Sequence, residues 1–423
     1  MIYALVAFAL TYVLMIALPK WRHFVALASA VLTLSVGFLP IEGLLGAVDF
    51  NILMMLAGTM ITVSYFIESK MPNRLADILM AKCPNVMIAA VAMSLFAGII
   101  SAFVDNVATV IMVAPVGIAI ARKLKISAVP LIISIAVSSN LQGAATLVGD
   151  TTSIMLGSAL DMSFVDFFFM NGKPGIFFAV ELGALATVPI IMLIFRKSRD
   201  KISMTEMTEV KDYLPCAFLL GTIILLIIAS FIPNKPELTN GFICIGVAIV
   251  ASVYSIIKNK GFGSVKNALS ELDWQTLLLL ASLFTVIAGI EHMGVIKEIS
   301  DLIVNVGGDN LFLLYTIIVF GSVLISAFID NIPYVATMLP VVTAISASIG
   351  CDPLILPFGL LIGATLGGNI TPIGASANIA GIGILRKEGY EVKNSDFFKI
   401  GIPFTLTAVL VGYAYIWIVY AMI

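Results

Sequence analysis

Long apolar runs with at most one charged residue constrain this chain more than any other feature. Eight of them have the length, about 17–25 residues, that crosses a bilayer as an α-helix. They lie at residues 2–18, 24–41, 50–67, 175–195, 214–232, 240–257, 274–290 and 401–422. Only 11% of the 423 residues are charged and 60% are hydrophobic, whereas a soluble protein carries about 25% charged residues. We therefore expect an all-α polytopic membrane protein.

The sparse polar composition excludes several function classes. A net charge of −2 gives no basis for a nucleic-acid partner. The two His and four Cys are scattered without paired spacing, so neither a zinc nor a haem site is expected. We expect no cofactor other than Na⁺ or H⁺ as a coupling ion. The run at 2–18 lacks a basic region before it and a small-residue cleavage site after it, so we interpret it as a first span rather than a signal peptide.

Four further apolar segments are too long or too interrupted to be single straight helices. Segments 129–160 and 354–385 contain Gly and polar residues and predict broken helices, whereas 86–121 and 311–348 each carry Asp-Asn in the middle. If the latter two enter and leave the membrane on the same face, as re-entrant hairpins, 20 of the 23 Lys and Arg residues fall on one face. The positive-inside rule makes that face cytoplasmic. About ten transmembrane helices plus two hairpins then place both termini outside the cell membrane.

The two halves of the chain are copies of each other. Ser-Ala-Phe-Val-Asp-Asn at 101–106 returns as Ser-Ala-Phe-Ile-Asp-Asn at 326–331, and the same offset pairs Thr146 with Thr371. The predicted topology starts one copy outside and the other inside. We therefore predict inverted repeats over 1–198 and 214–423, joined by a cytoplasmic linker at 199–213. Such repeats are typical of secondary transporters, whose sites lie at the repeat interface near the bilayer midplane.

Three aspartates lie inside these apolar segments. An unpaired carboxylate there costs about 2.5–3.5 kcal/mol, and no Lys or Arg lies in a predicted span to pair with Asp105, Asp150 or Asp330. A bound cation, a shared proton or a water-filled cavity would offset that cost. The alternative is helix capping, since Asp is among the best N-cap residues, and the two roles are compatible.

The Asn residues beside the hairpin carboxylates complete a candidate cation site. Side-chain amides next to a chain break can bind a cation or a substrate, although interhelical hydrogen bonding is the alternative. The candidate Na⁺ ligands are therefore Asp105, Asn106, Asp330 and Asn331.

The broken spans supply the rest of the candidate site. Gly and Pro open the helical backbone, and freed carbonyl groups can bind a cation while freed N–H groups bind an anion. Close helix packing is the alternative for the glycines. Glu181, inside a predicted span, either carries protons or faces a polar neighbour. The further candidates are Gly143, Thr146, Asp150 and Ser153 in the first copy and Asn369, Thr371, Gly374 and Asn378 in the second.

At these residues the chain resembles the ion transporter superfamily over nearly its whole length. Its nearest resemblance is to the citrate-transporter-like branch of arsenite permeases, NhaD-type sodium–proton antiporters and the melanosomal P protein. Four segments carry the resemblance: Phe103-Val-Asp-Asn106, Ala145-Thr-Leu-Val-Gly-Asp150, Phe328-Ile-Asp-Asn331 and Gly367-Gly-Asn-Ile-Thr-Pro-Ile-Gly-Ala-Ser-Ala-Asn378.

The resemblance implies a scaffold domain, a transport domain, a homodimer and an elevator-like movement. In the more distant carboxylate–sodium symporters the hairpin tips carry Ser-Asn-Thr, but here they carry Asp-Asn-Val and Asp-Asn-Ile. A dianionic substrate would meet like charge at these tips unless cations bind first. A second departure is Thr151-Thr152-Ser153, where the branch would show a Pro-Pro-Asn-like run. We therefore expect the substrate ligand there to be a hydroxyl, that of Ser153, in one copy and the Asn378 amide in the other.

These observations predict a secondary active transporter rather than an enzyme. Sodium–proton antiport fits the charge best, proton-coupled efflux of a neutral oxyacid such as arsenite is second, and Na⁺-coupled carboxylate uptake is third. A passive channel would need a continuous polar lining, whereas the polar residues here concentrate at one depth. Leu147-Val-Gly-Asp150 lacks the first Gly of the intramembrane aspartyl proteases, which excludes that activity.

Overall fold

The computed structural model describes residues 1–123, 126–198, 200–201, 207–308 and 310–422. Parts of the predicted linker, residues 199 and 202–206, lie outside the described residues. The described chain is nearly all helical, with one two-stranded antiparallel ribbon, β1 (Phe169–Met170) and β2 (Lys173–Pro174). The expectation of an all-α protein is confirmed.

Ten α-helices lie among the described residues of the first half of the chain. In chain order they are α1 (Ile2–Ala17), α2 (Arg22–Ser35), α3 (Leu44–Ala47), α4 (Phe50–Glu68), α5 (Met71–Ala81), α6 (Val86–Ser101), α7 (Asn106–Lys123), α8 (Ala128–Gly143), α9 (Thr151–Ala159) and α10 (Ile176–Ile194). Short 3₁₀ turns occur at Pro19–Trp21, Ile41–Gly43 and Val165–Phe167.

The part of the second half that the structure describes also has ten α-helices. They are α11 (Leu214–Ser230), α12 (Thr239–Asn259), α13 (Gly263–Glu271), α14 (Trp274–His292), α15 (Val295–Gly307), α16 (Leu311–Ser326), α17 (Asn331–Ile349), α18 (Ile355–Gly367), α19 (Ser376–Lys387) and α20 (Asn394–Trp417). A 3₁₀ turn follows α18 at Gly368–Ile370, and a π-helical turn follows α20 at Ile418–Met422.

Six of the described helices are long and apolar enough to cross a membrane, namely α4, α10, α12, α14, α17 and α20. Two bent pairs, α1 with α2 and α15 with α16, raise the number to eight. The predicted run at 24–41 is shorter as a helix, because α2 ends at Ser35 and the backbone turns at Gly37, where φ is +78°. Pro40 then holds the chain in an extended conformation. The chain is a multi-pass membrane protein.

Packing between the two halves is reciprocal. Helix α2 of the first half packs on α14 of the second, and α12 of the second packs on α4 of the first. Likewise α9 contacts α17 and α18, while α19 contacts α7 and α8. Corresponding helices therefore exchange partners across the molecule, as a pseudo-two-fold relation requires. The inverted orientation of the copies in the membrane stays a prediction.

Both Asp-Asn motifs lie at four-residue helix breaks. The first break separates α6 from α7, and both of these helices pack against α8. The second separates α16 from α17, and both pack against α18. Since α8 and α18 are themselves interrupted before α9 and α19, four helix breaks meet in the interior of the molecule.

Gly149 and Gly374 explain how the breaks fit together. A Cβ at Gly149 would lie 2.5 Å from the carbonyl oxygen of Gly143 and 2.7 Å from that of Ser101. A Cβ at Gly374 would lie 2.6 Å from the carbonyl oxygen of Gly368. Only glycine allows the backbone to approach this closely, so each interrupted span sits directly against the preceding helix break.

Candidate functional site

A cavity of about 410 Å³ opens where the four helix breaks meet. Its wall combines α4, the end of α8, the breaks beside α7, α9, α17 and α19, and the segment that leads into α14. Acidic side chains dominate its polar lining. The carboxylates are Asp105, Asp150, Glu271, Asp273 and Asp330.

Asp105 caps the first helix break and faces the cavity. Its Oδ1 accepts the backbone N–H groups of Val107 (3.0 Å) and Ala108 (3.1 Å) at the start of α7. No described Lys or Arg forms an ion pair with it. The carboxylate is therefore an N-cap that also lines the cavity, and its role in ion binding stays a prediction.

Asp330 caps the second break but has a different environment. Its Oδ1 accepts the N–H of Ile332 (3.2 Å), and its Oδ2 accepts the Ser376 hydroxyl (2.9 Å). The same Oδ2 lies 2.6 Å from Nη1 of Arg22. The expectation that no basic residue reaches the buried aspartates is therefore wrong for Asp330. Arg22 is the first residue of α2, directly after the turn at Pro19–Trp21. It lies between two predicted spans, so the sequence suggested only a loop residue.

Asp150 is buried at the first residue before α9. The Thr152 hydroxyl donates to its Oδ2 at 3.2 Å, and Thr152 also lies 3.1 Å from the Thr365 hydroxyl of the second half. Among the described residues, no Lys or Arg forms an ion pair with Asp150 either. It thus adds a second carboxylate without a basic partner to the same cavity.

A chain of amides joins the two halves behind the cavity. The Asn106 amide donates to Oδ1 of Asn140 (2.9 Å), whose own amide donates to the Thr365 carbonyl (2.7 Å) and to Oδ1 of Asn369 (3.1 Å). Asn140 and Thr365 occupy the same position in their respective copies, at an offset of 225. The pseudo-two-fold axis therefore passes close to this contact. Asn331 instead accepts the Ser326 hydroxyl at 2.6 Å.

Several predicted ligands lie behind the cavity wall rather than on it. Thr146 donates its hydroxyl to the Ala102 carbonyl, and Thr371 donates to the Ala327 carbonyl. Ser153 donates to the Gly143 carbonyl (3.3 Å), and Asn378 donates to the Gly368 carbonyl (3.0 Å). In this structure these groups hold the helix breaks together. The predicted residues that line the cavity are Asp105, Asn106, Asp150, Asp330 and Asn331.

Two cavity carboxylates were not among the predicted site residues. Glu271 ends α13 and accepts the Ser64 hydroxyl at 2.5 Å, while Asp273 caps α14 and accepts the N–H of Thr276 at 3.0 Å. The signal was present in the sequence as Glu-Leu-Asp directly before a long apolar run. A helix N-terminus at membrane depth would place such residues in the interior.

Among the residues that the structure describes, no group of three or more His, Cys, Asp or Glu side chains is arranged to hold a metal ion. Glu181 is partly buried in α10 and does not line the cavity. A cation in the cavity would therefore have to combine carboxylate oxygens with the amide and hydroxyl oxygens around them.

Comparison with known proteins shows which family this chain belongs to. A family model described as "Citrate transporter" (CitMHS) matches residues 12–363. A "46 kDa membrane protein" of Mycobacterium leprae is 32% identical over 335 residues, which are 76% of this chain and 74% of that protein. The "P protein" of Mus musculus is 26% identical over 89% of this chain and 54% of its own length.

The fold is also found among solved structures. The YdaH transporter of Alcanivorax borkumensis superimposes with a TM-score of 0.62, covering 89% of this chain and 87% of that one. The two sequences are only 14% identical, so the likeness concerns the fold alone. The family model and the YdaH structure are both described as transporters.

Proposed function

This chain belongs to the citrate transporter family and is a secondary transporter, and we propose that it exchanges Na⁺ or Li⁺ for protons. The acidic cavity carries this proposal. Five carboxylates line it, and Arg22 is the one basic side chain that the described ion pairs bring to them. A cleft lined by one sign of charge raises the local concentration of the opposite ion.

The cavity also offers the neutral oxygen ligands that a small alkali cation needs. Asn106, Asn140 and Asn331 line it together with the hydroxyl-bearing residues Ser64 and Thr151. Hard cations prefer such oxygen donors. Protons and cations are alternative ways to neutralise carboxylates crowded in one enclosed space. Exchange of one for the other on the same side chains is a step of antiport.

Alternating access would move the helix breaks relative to the rest of the protein. In this proposal the segments at 86–121 and 311–348 are re-entrant hairpins of a transport domain that slides as an elevator against a scaffold. The protein would sit in the cell membrane as a homodimer, with both termini outside.

Reconstituted protein tests the exchange directly. Liposomes that contain the purified protein and an internal pH dye are challenged in turn with Na⁺, Li⁺, arsenite and citrate. We expect external Na⁺ or Li⁺ to drive protons out and raise the internal pH, whereas arsenite and citrate with choline as the counter-ion do not. Liposomes with Asp105→Asn protein are the matched control and should show no cation-driven change.

Uptake of a carboxylate together with cations is the second candidate. The description of the family model favours it, and Arg22 places one guanidinium beside the acidic cavity. A carboxylate would have to enter with cations, because the bare cavity repels an anion. A pH change that citrate produces without Na⁺, together with none from Na⁺ alone, would overturn the cation proposal in favour of anion binding.

A further inference from the structure

A cation site does not need a basic side chain, yet Arg22 lies beside the cavity and pairs with Asp330. Arg22 is the first residue of α2, where the positive end of the helix dipole disfavours a cation. The first turn of α2 contains no acidic residue to offset this effect. Helix stability therefore does not explain an arginine at this position.

The partner of Arg22 is a cavity carboxylate that lies 308 residues away in the sequence. Arg22 and Asp330 are 26% and 14% exposed, and their atoms are 2.6 Å apart. The attraction within a partly buried ion pair is screened less than the attraction within a surface pair. By comparison, Arg122 and Glu388 pair at 2.5 Å with 56% and 43% exposure.

The region around Arg22 is fixed to the same helix as Asp330. The Tyr12 hydroxyl of α1 donates to the Pro333 carbonyl of α17 at 2.6 Å and also contacts the Thr337 hydroxyl. Tyr12 and Arg22 thus flank the bend between α1 and α2, which measures 113°. The end of α1 before this bend therefore lies against α17, the helix that Asp330 caps.

A cation that binds Asp330 must compete with this guanidinium. A carboxylate has about four acceptor positions, and three of those of Asp330 serve the Ile332 N–H, the Ser376 hydroxyl and Arg22. A cation at the remaining position would lie beside the guanidinium charge, which repels it. The first two contacts are neutral, so Arg22 is the partner that a second cation displaces.

We propose that Arg22 is a built-in competitor of the transported cation, which pairs with Asp330 in this state and leaves it when the cation binds. Arg22 then sets the affinity and specificity of cation binding. It acts by pairing with Asp330 and does not itself contact the cation. This inference rests on the proposed cation transport. It predicts that a weakly bound cation fails to displace the guanidinium.

Binding measurements on matched variants test the competition. The dissociation constants of Na⁺ and Li⁺ are measured by thermal stabilisation of purified wild type, Arg22→Gln, Arg22→Lys and Arg122→Gln, with choline as the inert cation. Arg22→Gln should bind at least about fivefold more tightly, the lower end of typical coupling between two binding events. Arg22→Lys keeps the competing charge and should stay near wild type, and Arg122→Gln should not change.

The outcomes separate this inference from the proposed function. If wild type binds neither Na⁺ nor Li⁺, the proposed function and this inference are both wrong. If wild type binds these cations and Arg22→Gln binds them equally or more weakly, only this inference is wrong. A lower melting temperature of Arg22→Gln with an unchanged dissociation constant would also overturn the inference, because the Arg22–Asp330 pair would then contribute to stability alone.

A second measurement needs no variant. Phenylglyoxal modifies accessible guanidinium groups, and peptide mass spectrometry separates Arg22 from Arg122. Saturating Na⁺ should increase the modification of Arg22 in wild-type protein and leave that of Arg122 unchanged. Modification of Arg22 that stays constant or falls when Na⁺ binds would overturn the inference, even if Arg22→Gln does not fold.

Discussion

The two Asp-Asn helix breaks have nearly the same sequence but different surroundings. At the first break Asp105 accepts only backbone N–H groups, and no described basic side chain pairs with it. At the second break Asp330 also accepts a hydroxyl and a guanidinium. The duplicated motif therefore keeps the same local backbone in both copies. The side chains that pair with its carboxylate come from elsewhere in the chain.

The difference between the breaks is electrostatic and not architectural. Thr146 and Thr371 make the same contact with the preceding break, through the Ala102 and Ala327 carbonyl groups. Gly149 and Gly374 meet equivalent backbone atoms. What distinguishes the copies is whether the cavity carboxylate is already neutralised. In the proposed cation transport, Asp105 is thus the carboxylate that is free to bind an incoming cation, and Asp330 is the one already paired with Arg22.

Removal of each carboxylate in turn is the strongest test of this comparison. Asp105→Asn and Asp330→Asn should each reduce cation-coupled transport in liposomes to the level of empty vesicles. Asn keeps the helix cap, because Asn and Asp cap equally well. Asp330→Asn should in addition lower the free energy of unfolding by about 1–3 kcal/mol more than Asp105→Asn, since it leaves the partly buried Arg22 without its ion pair.

Melting curves in detergent measure the stability difference, and the pH dye in liposomes measures transport. Wild-type transport by both variants would mean that the two aspartates are helix caps and nothing more. Equal loss of stability in both variants would contradict the difference between the two breaks.

The glycines test the part of the comparison in which the copies agree. Gly149→Ala and Gly374→Ala should destabilise the protein by similar amounts, about 1–3 kcal/mol each, because the new methyl group is forced against backbone atoms. Gly383→Ala in α19 is the control, since a Cβ there meets nothing within 4 Å. It should be neutral or slightly stabilising. If either break tolerates alanine as Gly383 does, the two copies do not share this packing.

The sequence predicted the helices and the position of the site better than it predicted the partners within the site. Apolar runs interrupted by Asp-Asn and by Gly locate the breaks, since a helix at membrane depth ends only where its backbone can be satisfied. Asp105, Asp150 and Asp330 were predicted as site residues for the same reason, and all three face the cavity. Whether they carry transport stays a prediction.

Arg22 could not be assigned in this way. Its charge fits a loop between two spans, and nothing local indicates a contact with a residue 308 positions away. Thr146, Ser153, Thr371 and Asn378 were expected near the ligand, yet they satisfy carbonyl groups behind the wall. Sequence shows that these polar groups need partners, but only packing decides whether the partner is backbone or ligand.

The two serines that precede the breaks give the smallest and most selective test. Ser326 Oγ lies 2.6 Å from Oδ1 of Asn331 and 2.5 Å from the Ala364 carbonyl oxygen. The matching Ser101 hydroxyl is buried and has no hydrogen-bond partner among the described residues. Ser326→Ala should therefore cost about 0.5–1.5 kcal/mol of stability, the net value of a typical hydrogen bond, whereas Ser101→Ala should cost nothing or stabilise slightly. Melting curves without alkali cations compare the pair directly. An equal loss in both variants would show that Ser101 has a partner after all, and that the first break is as fully bonded as the second.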